Sequence, residues 1–262
     1  MKITETRDKI TIENAVSSDR VRALYQLGDL DDYYFDKCRW YFIHEGDSFE
    51  ALILLYESAG TTFIPLGSPK AVEFFLNHMS ELLPQKFYSA WWTEFDGLMS
   101  DRFNIPNAKA MYRMALDRAD FRPAEVDIRS RQLGTDDIDD VKRLLESYPG
   151  NFFEEYQLQT GFYRGVFDDD NLVAMAGIHT VNRSKGVAAI GNVVTDRDYR
   201  GRGLGTVVTS HVAEKLFREV DLLGLNVARG NTAAVRAYRR LGFDVRLEFY
   251  EGFCFIDRFE DR

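Results

Sequence analysis

The stretch "VVTDRDYRGRGLGTVV", residues 193–208, holds three glycines and three arginines between two Val-Val pairs. Successive backbone amides of a glycine-rich turn point inward, and the first N–H groups of a following helix lack a partner within the helix. Such a turn binds a diphosphate without help from lysine or metal. Glycine is needed where a Cβ would block the anion or where φ is positive. The stretch therefore predicts an anion-binding turn between a strand and a helix, with Arg200 and Arg202 adding charge at its rim.

Two other phosphate-binding designs fit this stretch poorly. A Walker loop ends in Gly-Lys-Ser/Thr, whereas Thr206 directly follows Gly205 here. A dinucleotide fingerprint would place its third glycine at position 206, and the preceding strand is expected in an antiparallel hairpin rather than a βαβ unit. A flexible linker with solvated arginines is the third alternative, and the regular flanking segments argue against it.

Two blocks of the sequence resemble the GNAT N-acetyltransferase superfamily. The first fits the pattern Arg/Gln-x-x-Gly-x-Gly/Ala through Arg200, Gly203 and Gly205. The second, "NTAAVRAYRRLGF", fits Asn-x-x-Ala-x-x-x-Tyr-x-x-x-Gly-Phe through Asn231, Ala234, Tyr238, Gly242 and Phe243. The resemblance covers roughly residues 126–262. The hairpin "YRGVFDDDNLVAMAGIH" followed by "VAAIGNVVT" is similar to the glycine N-acyltransferase-like branch, whose members carry an extra N-terminal domain.

The resemblance implies a site for acetyl-CoA, or another acyl-CoA, as co-substrate, and no metal. It assigns the diphosphate to the turn residues Gly201, Arg202, Gly203, Leu204, Gly205 and Thr206. It assigns the pantetheine arm to the strand edge at Val193, Val194 and Thr195, where an amide-rich chain can pair like an added strand. Tyr238 matches the general acid, since a phenol has a pKa close enough to that of a thiol to protonate it; a core aromatic is the alternative. Asn231 matches a residue that binds the arm, and it also suits a helix cap.

The expected function is transfer of an acetyl group from acetyl-CoA to a primary amine by direct attack in a ternary complex. The acceptor is expected to be a small molecule or an amino-acid derivative. Two alternatives stay open: a protein N-acetyltransferase and a non-catalytic acyl-CoA-binding module. The N-terminal domain is expected to wall the acceptor cleft or to form a homodimer face.

The general base is where the sequence departs from the family pattern. Many relatives carry a glutamate on the strand before the turn, yet residues 187–195 contain no acid. Others carry a glutamate five residues before the motif asparagine, and that position is Asn226. His179 is a candidate substitute because its ordinary pKa suits proton transfer, although a structural histidine is the alternative. Glu154, Glu155 and Tyr156 lie before the first strand of this half, which is where the family places substrate-contacting elements.

The predicted fold is α/β of the α+β type, with a mixed, mostly antiparallel GNAT-like sheet flanked by helices. We place a boundary near Pro123, giving an N-terminal α+β domain (1–125) and a GNAT N-acetyltransferase domain (126–262). Residues 1–125 are predicted to follow the order α-β-β-α-β, and the segment 17–45 is predicted to be partly helical. This domain is also predicted to be a degenerate, non-catalytic copy of the same fold. Residues 126–262 are predicted as α-β-β-β-α-β-α-β, with Thr135 capping the first helix. "FDVRLEFYEGFCF" is expected to form a final strand pair.

Composition narrows the class of protein. The net charge of −9 disfavours nucleic acid and anionic membrane as partners. Cys38 and Cys254 match no metal-ligand spacing and are expected to be buried thiols. The N-terminus lacks a signal-peptide pattern and no window is apolar enough for a membrane span, so a cytoplasmic protein is expected. The run Asp168–Asp170 is expected to be a solvated turn rather than a cation site.

Overall fold

The computed structural model describes residues 1–148 and 151–256. Residues Arg113–Arg246 form one compact unit, the C-terminal unit, and Met1–Tyr112 with the described residues from Leu247 onward form another, the N-terminal unit. The chain passes between the units twice. The domain division between residues 125 and 126 stays a prediction.

The described strands and helices follow one another along the chain with short connections. The strands are β1 (Lys2–Thr6), β2 (Cys38–Glu45), β3 (Ser48–Glu57), β4 (Thr61–Gly67), β5 (Lys86–Trp92), β6 (Lys109–Asp117), β7 (Arg131–Gln132), β8 (Arg164–Asp168), β9 (Asn171–Asn182), β10 (Val187–Thr195), β11 (Leu222–Ala228) and β12 (Asp244–Phe255). The helices are α1 (Lys9–Val16), α2 (Leu24–Gly28), α3 (Asp32–Phe35), α4 (Pro69–Met79), α5 (Asp96–Arg102), α6 (Ile138–Glu146), α7 (Leu204–Leu216) and α8 (Thr232–Arg240). None of these helices is long and apolar enough to cross a membrane.

The N-terminal unit is a sheet in the order β1-β2-β3-β4-β5-β12. Strands β4 and β5 are parallel and are connected through α4, while the other pairs recorded in this unit are antiparallel. Helix α4 packs on β2, β3 and β4. The core of this unit is aromatic and aliphatic, with Ile53, Leu54, Phe63 and Phe75 fully buried.

The predicted final strand pair is wrong, because residues 244–255 form the single strand β12. Seven of its residues pair with β5, from Phe249 opposite Trp92 to Phe255 opposite Lys86. Gly252 makes no turn; a Cβ there would lie 3.4 Å from the backbone of Asn107 and Ala108. This glycine marks a close approach of two backbone segments.

The C-terminal unit is a sheet in the order β6-β11-β10-β9-β8-β7. Strands β10 and β11 are parallel and are connected through α7, and the hairpins β8–β9 and β9–β10 are antiparallel. The predicted apolar stripe of α7 is confirmed, because Val208, Val212 and Leu216 are all 0% exposed. Helices α6 and α7 both pack on β9 and β10.

The predicted cap of α6 at Thr135 is wrong. A short 3₁₀ turn, Thr135–Asp137, precedes the helix, and the Asp137 carboxylate accepts the Gly134 N–H at 2.8 Å. Arg131 pairs with the same carboxylate at 2.6 Å and holds the pKa of Asp137 below its ordinary value. Asp137 therefore fixes the backbone before the 3₁₀ turn, and α6 itself begins without a side-chain cap.

The two units share one order of elements. Three antiparallel strands are followed by a helix and then by a strand parallel to the third, as β2-β3-β4-α4-β5 and as β8-β9-β10-α7-β11. This confirms the predicted fold class of two GNAT-like α/β units with mostly antiparallel sheets.

Candidate functional site

The glycine turn takes the backbone conformation that the sequence predicts. Gly201 and Gly203 have φ of 78° and 81°, and a Cβ at either position would meet no protein atom within 4 Å. Helix α7 then begins, with the Val207 N–H donating to the Gly203 carbonyl at 3.1 Å. Helix geometry leaves the preceding amides without an intrahelical acceptor, and these belong to Leu204, Gly205 and Thr206. The turn therefore presents backbone donors next to open space.

The strand edge beside this turn is also open. Pairing of β10 with β11 runs from Val187–Leu222 to Ile190–Leu225 and is not recorded beyond, although β11 continues to Ala228. The described residues 191–195 thus have no partner on β11. On their other side, Val194 pairs with Met175 of β9. Because β10 and β11 are not paired beyond Ile190, the backbone amides and carbonyls on this edge of residues 191–195 are available to an extended ligand.

Helix α7 starts directly against the end of β10. A Cβ at Gly205 would lie 3.3 Å from Thr195 Oγ1 and 4.0 Å from Val193 Cγ1. The predicted diphosphate residues and the predicted pantetheine edge are therefore adjacent. Their roles in binding remain predictions.

The two arginines of the turn are both held by neighbours. Arg200 Nη2 lies 2.5 Å from the Tyr148 hydroxyl, and that hydroxyl donates to the Thr195 carbonyl. Arg202 donates to the Asp198 carbonyl at 3.1 Å and lies 4.7 Å from the centre of the Tyr199 ring. Arg200 is thus a link between the turn, Tyr148 and the end of β10, as well as a positive charge.

The acidic turn Asp168–Asp170, which connects β8 to β9, is contacted by Tyr199. The Tyr199 hydroxyl donates to the Asp168 carboxylate at 2.5 Å, and this raises the pKa of Tyr199. Asp169 has a φ of 49°, which suits a tight turn. Across residues 1–148 and 151–256, no cluster of three or more His, Cys, Asp or Glu side chains is arranged to hold a metal ion.

Helix α8 carries the second motif. Asn231 caps it, with Oδ1 accepting the Ala234 N–H at 3.2 Å. Tyr238 is 8% exposed, and its ring packs edge-on against Phe243 with centroids 6.0 Å apart. Burial raises the pKa of Tyr238, so the phenol keeps its proton at neutral pH. Its hydroxyl makes no hydrogen bond within the described chain, and its role as an acid remains a prediction.

Asn226 stands where some relatives carry a glutamate and cannot take a proton, which leaves His179 as the candidate base. Asn226 Oδ1 accepts from Arg113 Nε at 3.1 Å, and Arg113 is only 3% exposed, so this position pairs an amide with a buried cation. The His179 ring lies over Gly191, where a Cβ would come within 2.2 Å of Nε2. Burial lowers the pKa of His179 to about 4, which makes the imidazole neutral but only weakly basic at pH 7. Glu155 pairs with Lys142 at 2.5 Å.

Four polar residues of this region were missed by the sequence reasoning: Tyr148, Gln157, Tyr163 and Asn192. Asn192 carried a local signal, since it follows Gly191 inside a β-branched strand and asparagine tolerates a positive φ better than most residues. The other three carry no motif. They reach the site only through contacts between elements far apart in sequence.

The corresponding junction of the N-terminal unit, between β4 and α4, lacks the open glycine turn that precedes α7. Ser68 caps α4 with its own hydroxyl, accepting the Ala71 N–H at 3.3 Å, and Pro69 removes the first amide of the helix. A Cβ at Gly67 would lie 2.3 Å from the Glu50 carbonyl oxygen. Protein atoms thus fill the space that the C-terminal unit leaves open at Gly203.

Part of the chain is similar in sequence to known acetyltransferases. Residues 128–243 match the model of the "Acetyltransferase (GNAT) family". The chain is 34% identical over 124 residues to a mycothiol acetyltransferase of Mycolicibacterium gilvum, covering 44% of this chain and 37% of that protein. It is 34% identical over 86 residues to a [ribosomal protein bS18]-alanine N-acetyltransferase of Salmonella typhimurium, covering 31% of this chain and 56% of that protein. The chain thus spans between about a third and about a half of these relatives.

A solved structure resembles nearly the whole chain. A tandem GNAT protein from the clavulanic acid biosynthesis pathway shares 14% sequence identity at a TM-score of 0.57, covering 96% of this chain and 98% of that one. At this identity the likeness concerns the fold alone. It supports a pair of GNAT-like units in one chain.

Proposed function

We propose that this chain, whose residues 128–243 match the GNAT acetyltransferase family, transfers an acetyl group from acetyl-CoA to a primary amine. The proposed acceptor is a small molecule or an amino-acid derivative. The C-terminal unit carries the reaction, and the N-terminal unit is non-catalytic because Ser68 and Pro69 occupy the start of α4.

One observation carries this proposal: the left-handed glycine turn at the start of α7 adjoins the unpaired residues 191–195 of β10. The turn offers backbone donors to a diphosphate, and the strand edge offers donors and acceptors to an amide-rich arm. Coenzyme A combines these two chemical groups in one molecule. Asn231 is a further candidate for binding the arm, since its Nδ2 makes no hydrogen bond within the described chain while its Oδ1 caps α8.

The proposed step is a direct attack on the thioester. The amine nitrogen forms a bond to the acetyl carbon, and the carbon–sulfur bond breaks. Tyr238 gives its phenolic proton to the departing thiolate and is reprotonated from solvent. The new amide nitrogen releases its extra proton to water, so an amine that arrives neutral needs no dedicated base. A backbone amide of the β10 edge stabilises the negative charge that develops on the thioester oxygen.

Two experiments test the proposal. Calorimetric titration of the protein with CoA should give saturable binding, and release of free thiol from acetyl-CoA should appear with some members of an amine panel. Tyr238→Phe should lower kcat by about 100-fold while leaving the affinity for CoA within about 2-fold. No binding of CoA by the wild type would overturn the proposal.

Two rival functions have specific support. The match to a bS18-alanine N-acetyltransferase favours a protein acceptor, and peptides with free N-termini should then be acetylated faster than any small amine. The absence of an acid in residues 187–195 favours an acyl-CoA-binding module. That function would give tight CoA binding with no thiol release from any acceptor.

A further inference from the structure

The β9–β10 hairpin changes register twice beside the open edge. Ala189 pairs with Thr180 but Ile190 pairs with Ile178, so β9 has one extra residue, His179. Gly191 pairs with Gly177 but Val194 pairs with Met175, so β10 then has one extra residue. The second irregularity contains Asn192, whose φ is 51°. The two bulges compensate, and the hairpin regains its first register at Val194.

A buried polar network surrounds Asn192. Its Nδ2 donates to the Tyr163 hydroxyl at 2.8 Å and lies 3.4 Å from Gln157 Oε1. The Tyr163 hydroxyl lies 3.0 Å from Gln157 Oε1 and 3.1 Å from the Ile178 carbonyl, and it donates to one of these acceptors at a time. Gln157 Oε1 also accepts the Glu154 N–H at 3.2 Å. Gln157 and Tyr163 are 0% exposed and Asn192 is 6% exposed.

Two glycines make room for this arrangement. Gly177 faces Gly191 across the hairpin, and a Cβ at Gly177 would lie 2.2 Å from the Tyr163 ring. The ring therefore lies flat on the hairpin, which brings its hydroxyl to Asn192. A non-glycine residue at positive φ is strained, although asparagine less than most, and it persists when its surroundings fix it. Here the fixed partners are Tyr163 and Gln157.

We propose that Tyr163 and Gln157 are positioning residues that act through Asn192 to hold the β10 bulge, so that the amides of residues 191–193 face the thioester. This inference rests on the proposed function. Neither side chain contacts the substrate. Buried hydrogen bonds fix the direction of the backbone donors before acetyl-CoA binds, and preorganised donors stabilise developing charge more strongly than mobile ones.

The test compares Tyr163→Phe with the wild type. The ring stays over Gly177 and only the hydroxyl is lost. We expect kcat to fall by about 5- to 20-fold and the affinity for CoA to change less than about 2-fold. We also expect the wild type to bind acetyl-CoA more tightly than CoA and Tyr163→Phe to lose this difference, because only the acetyl group meets the oriented amides. Unchanged kcat together with an unchanged ratio of the two affinities would overturn the inference.

A double-mutant cycle tests the route through Asn192. Asn192→Gly permits the same φ without the side chain, so Tyr163→Phe should have no further effect on kcat in that background. Additive effects of the two substitutions would contradict the inference. Tyr88→Phe is the matched control, since it removes a half-buried phenol that hydrogen-bonds to Glu251 in the N-terminal unit.

The affinity ratio also separates this inference from the proposed function. A wild-type protein that binds acetyl-CoA more tightly than CoA but turns over no acceptor contradicts the proposed function alone. In that case, if Tyr163→Phe binds acetyl-CoA and CoA equally tightly, the positioning role is still supported. If the variant keeps the wild-type preference for acetyl-CoA, the positioning role is overturned.

Discussion

The hydroxyl of Tyr148 lies 2.5 Å from Nη2 of Arg200, and the Arg200 guanidinium carbon lies 5.4 Å from the centre of the Tyr148 ring. The same hydroxyl donates to the Thr195 carbonyl. One phenol thus joins the family-motif arginine to the end of β10. The arginine is oriented by this contact before any ligand arrives.

Tyr148→Phe should weaken CoA binding by about 3- to 10-fold, because a hydrogen bond to a charged group is lost and Arg200 becomes free to move. The rate at saturating acetyl-CoA should change little, since Tyr148 is not proposed to contact the acetyl group. Calorimetric titration with CoA measures the first effect. Tyr33→Phe, at an exposed tyrosine of the N-terminal unit, is the control. An unchanged CoA affinity would show that Arg200 needs no such support.

Gly203→Ala should reduce CoA affinity by about 10-fold or more. The substitution strains the backbone at a φ of 81° and places a methyl group in the open space before α7. Gly46→Ala is the matched control, because Gly46 also has a positive φ, 62°, and open space around it, but lies in the β2–β3 turn. Equal CoA affinities for the two variants would argue against an anion site at the turn.

Gly242→Ala should be among the most destabilising single substitutions in the C-terminal unit. Its φ is 99°, and a Cβ would lie 2.1 Å from the Asp120 carbonyl oxygen, so strain and a backbone clash combine. We expect a loss of about 3 kcal/mol in the free energy of unfolding, measured by urea denaturation. Gly46→Ala, which has the strain without the clash, should lose only about 1 kcal/mol. Similar losses for both variants would mean that the clash relaxes.

His179 should make stability depend on pH. Its folded-state pKa is about 4, against an ordinary value of 6.5, because burial disfavours the charged ring. The unfolded chain therefore binds a proton between these values and the folded chain does not. The stabilisation is complete above pH 6.5 and is lost as the pH falls toward 4. Because the His179 ring is partly exposed to solvent, we expect the free energy of unfolding to fall by only about 2 kcal/mol over this range.

The variant His179→Gln removes the titrating group and should flatten the dependence of the free energy of unfolding on pH between about 7 and 4.5. His78→Gln changes an exposed histidine of the N-terminal unit and should keep the wild-type slope. Identical slopes for wild type and His179→Gln would contradict the prediction.

Local requirements of the backbone explain what the sequence could predict. Positive φ at Gly201 and Gly203, the cap at Asn231 and the buried stripe of α7 each depend on residues within a few positions of one another. These features were predicted correctly for that reason. The family resemblance depended on the same two local blocks.

Errors arose where a local signal had a distant cause. Cys38–Glu45 was placed in a partly helical segment, yet it is the strand β2, because it pairs with β1 and β3 on its two sides. The segment "FDVRLEFYEGFCF" was predicted as a strand pair, yet residues 244–255 form the single strand β12, whose Gly252 lies close to residues 107–108. Local composition is the same for a turn glycine and for a glycine at a close backbone approach.

The sequence by itself determined the turn that should bind a diphosphate, the helices that follow it and the family that residues 128–243 match, because short-range spacing and conformational preference fix all three. The tertiary structure alone decided that Arg200 rests on Tyr148, that Asn192 is held by Tyr163 and Gln157, and that β12 completes the sheet of the N-terminal unit. These contacts join residues between 29 and 52 positions apart, or strands from different halves of the chain. Such pairs leave no periodic trace in a single sequence, since only folding brings them together.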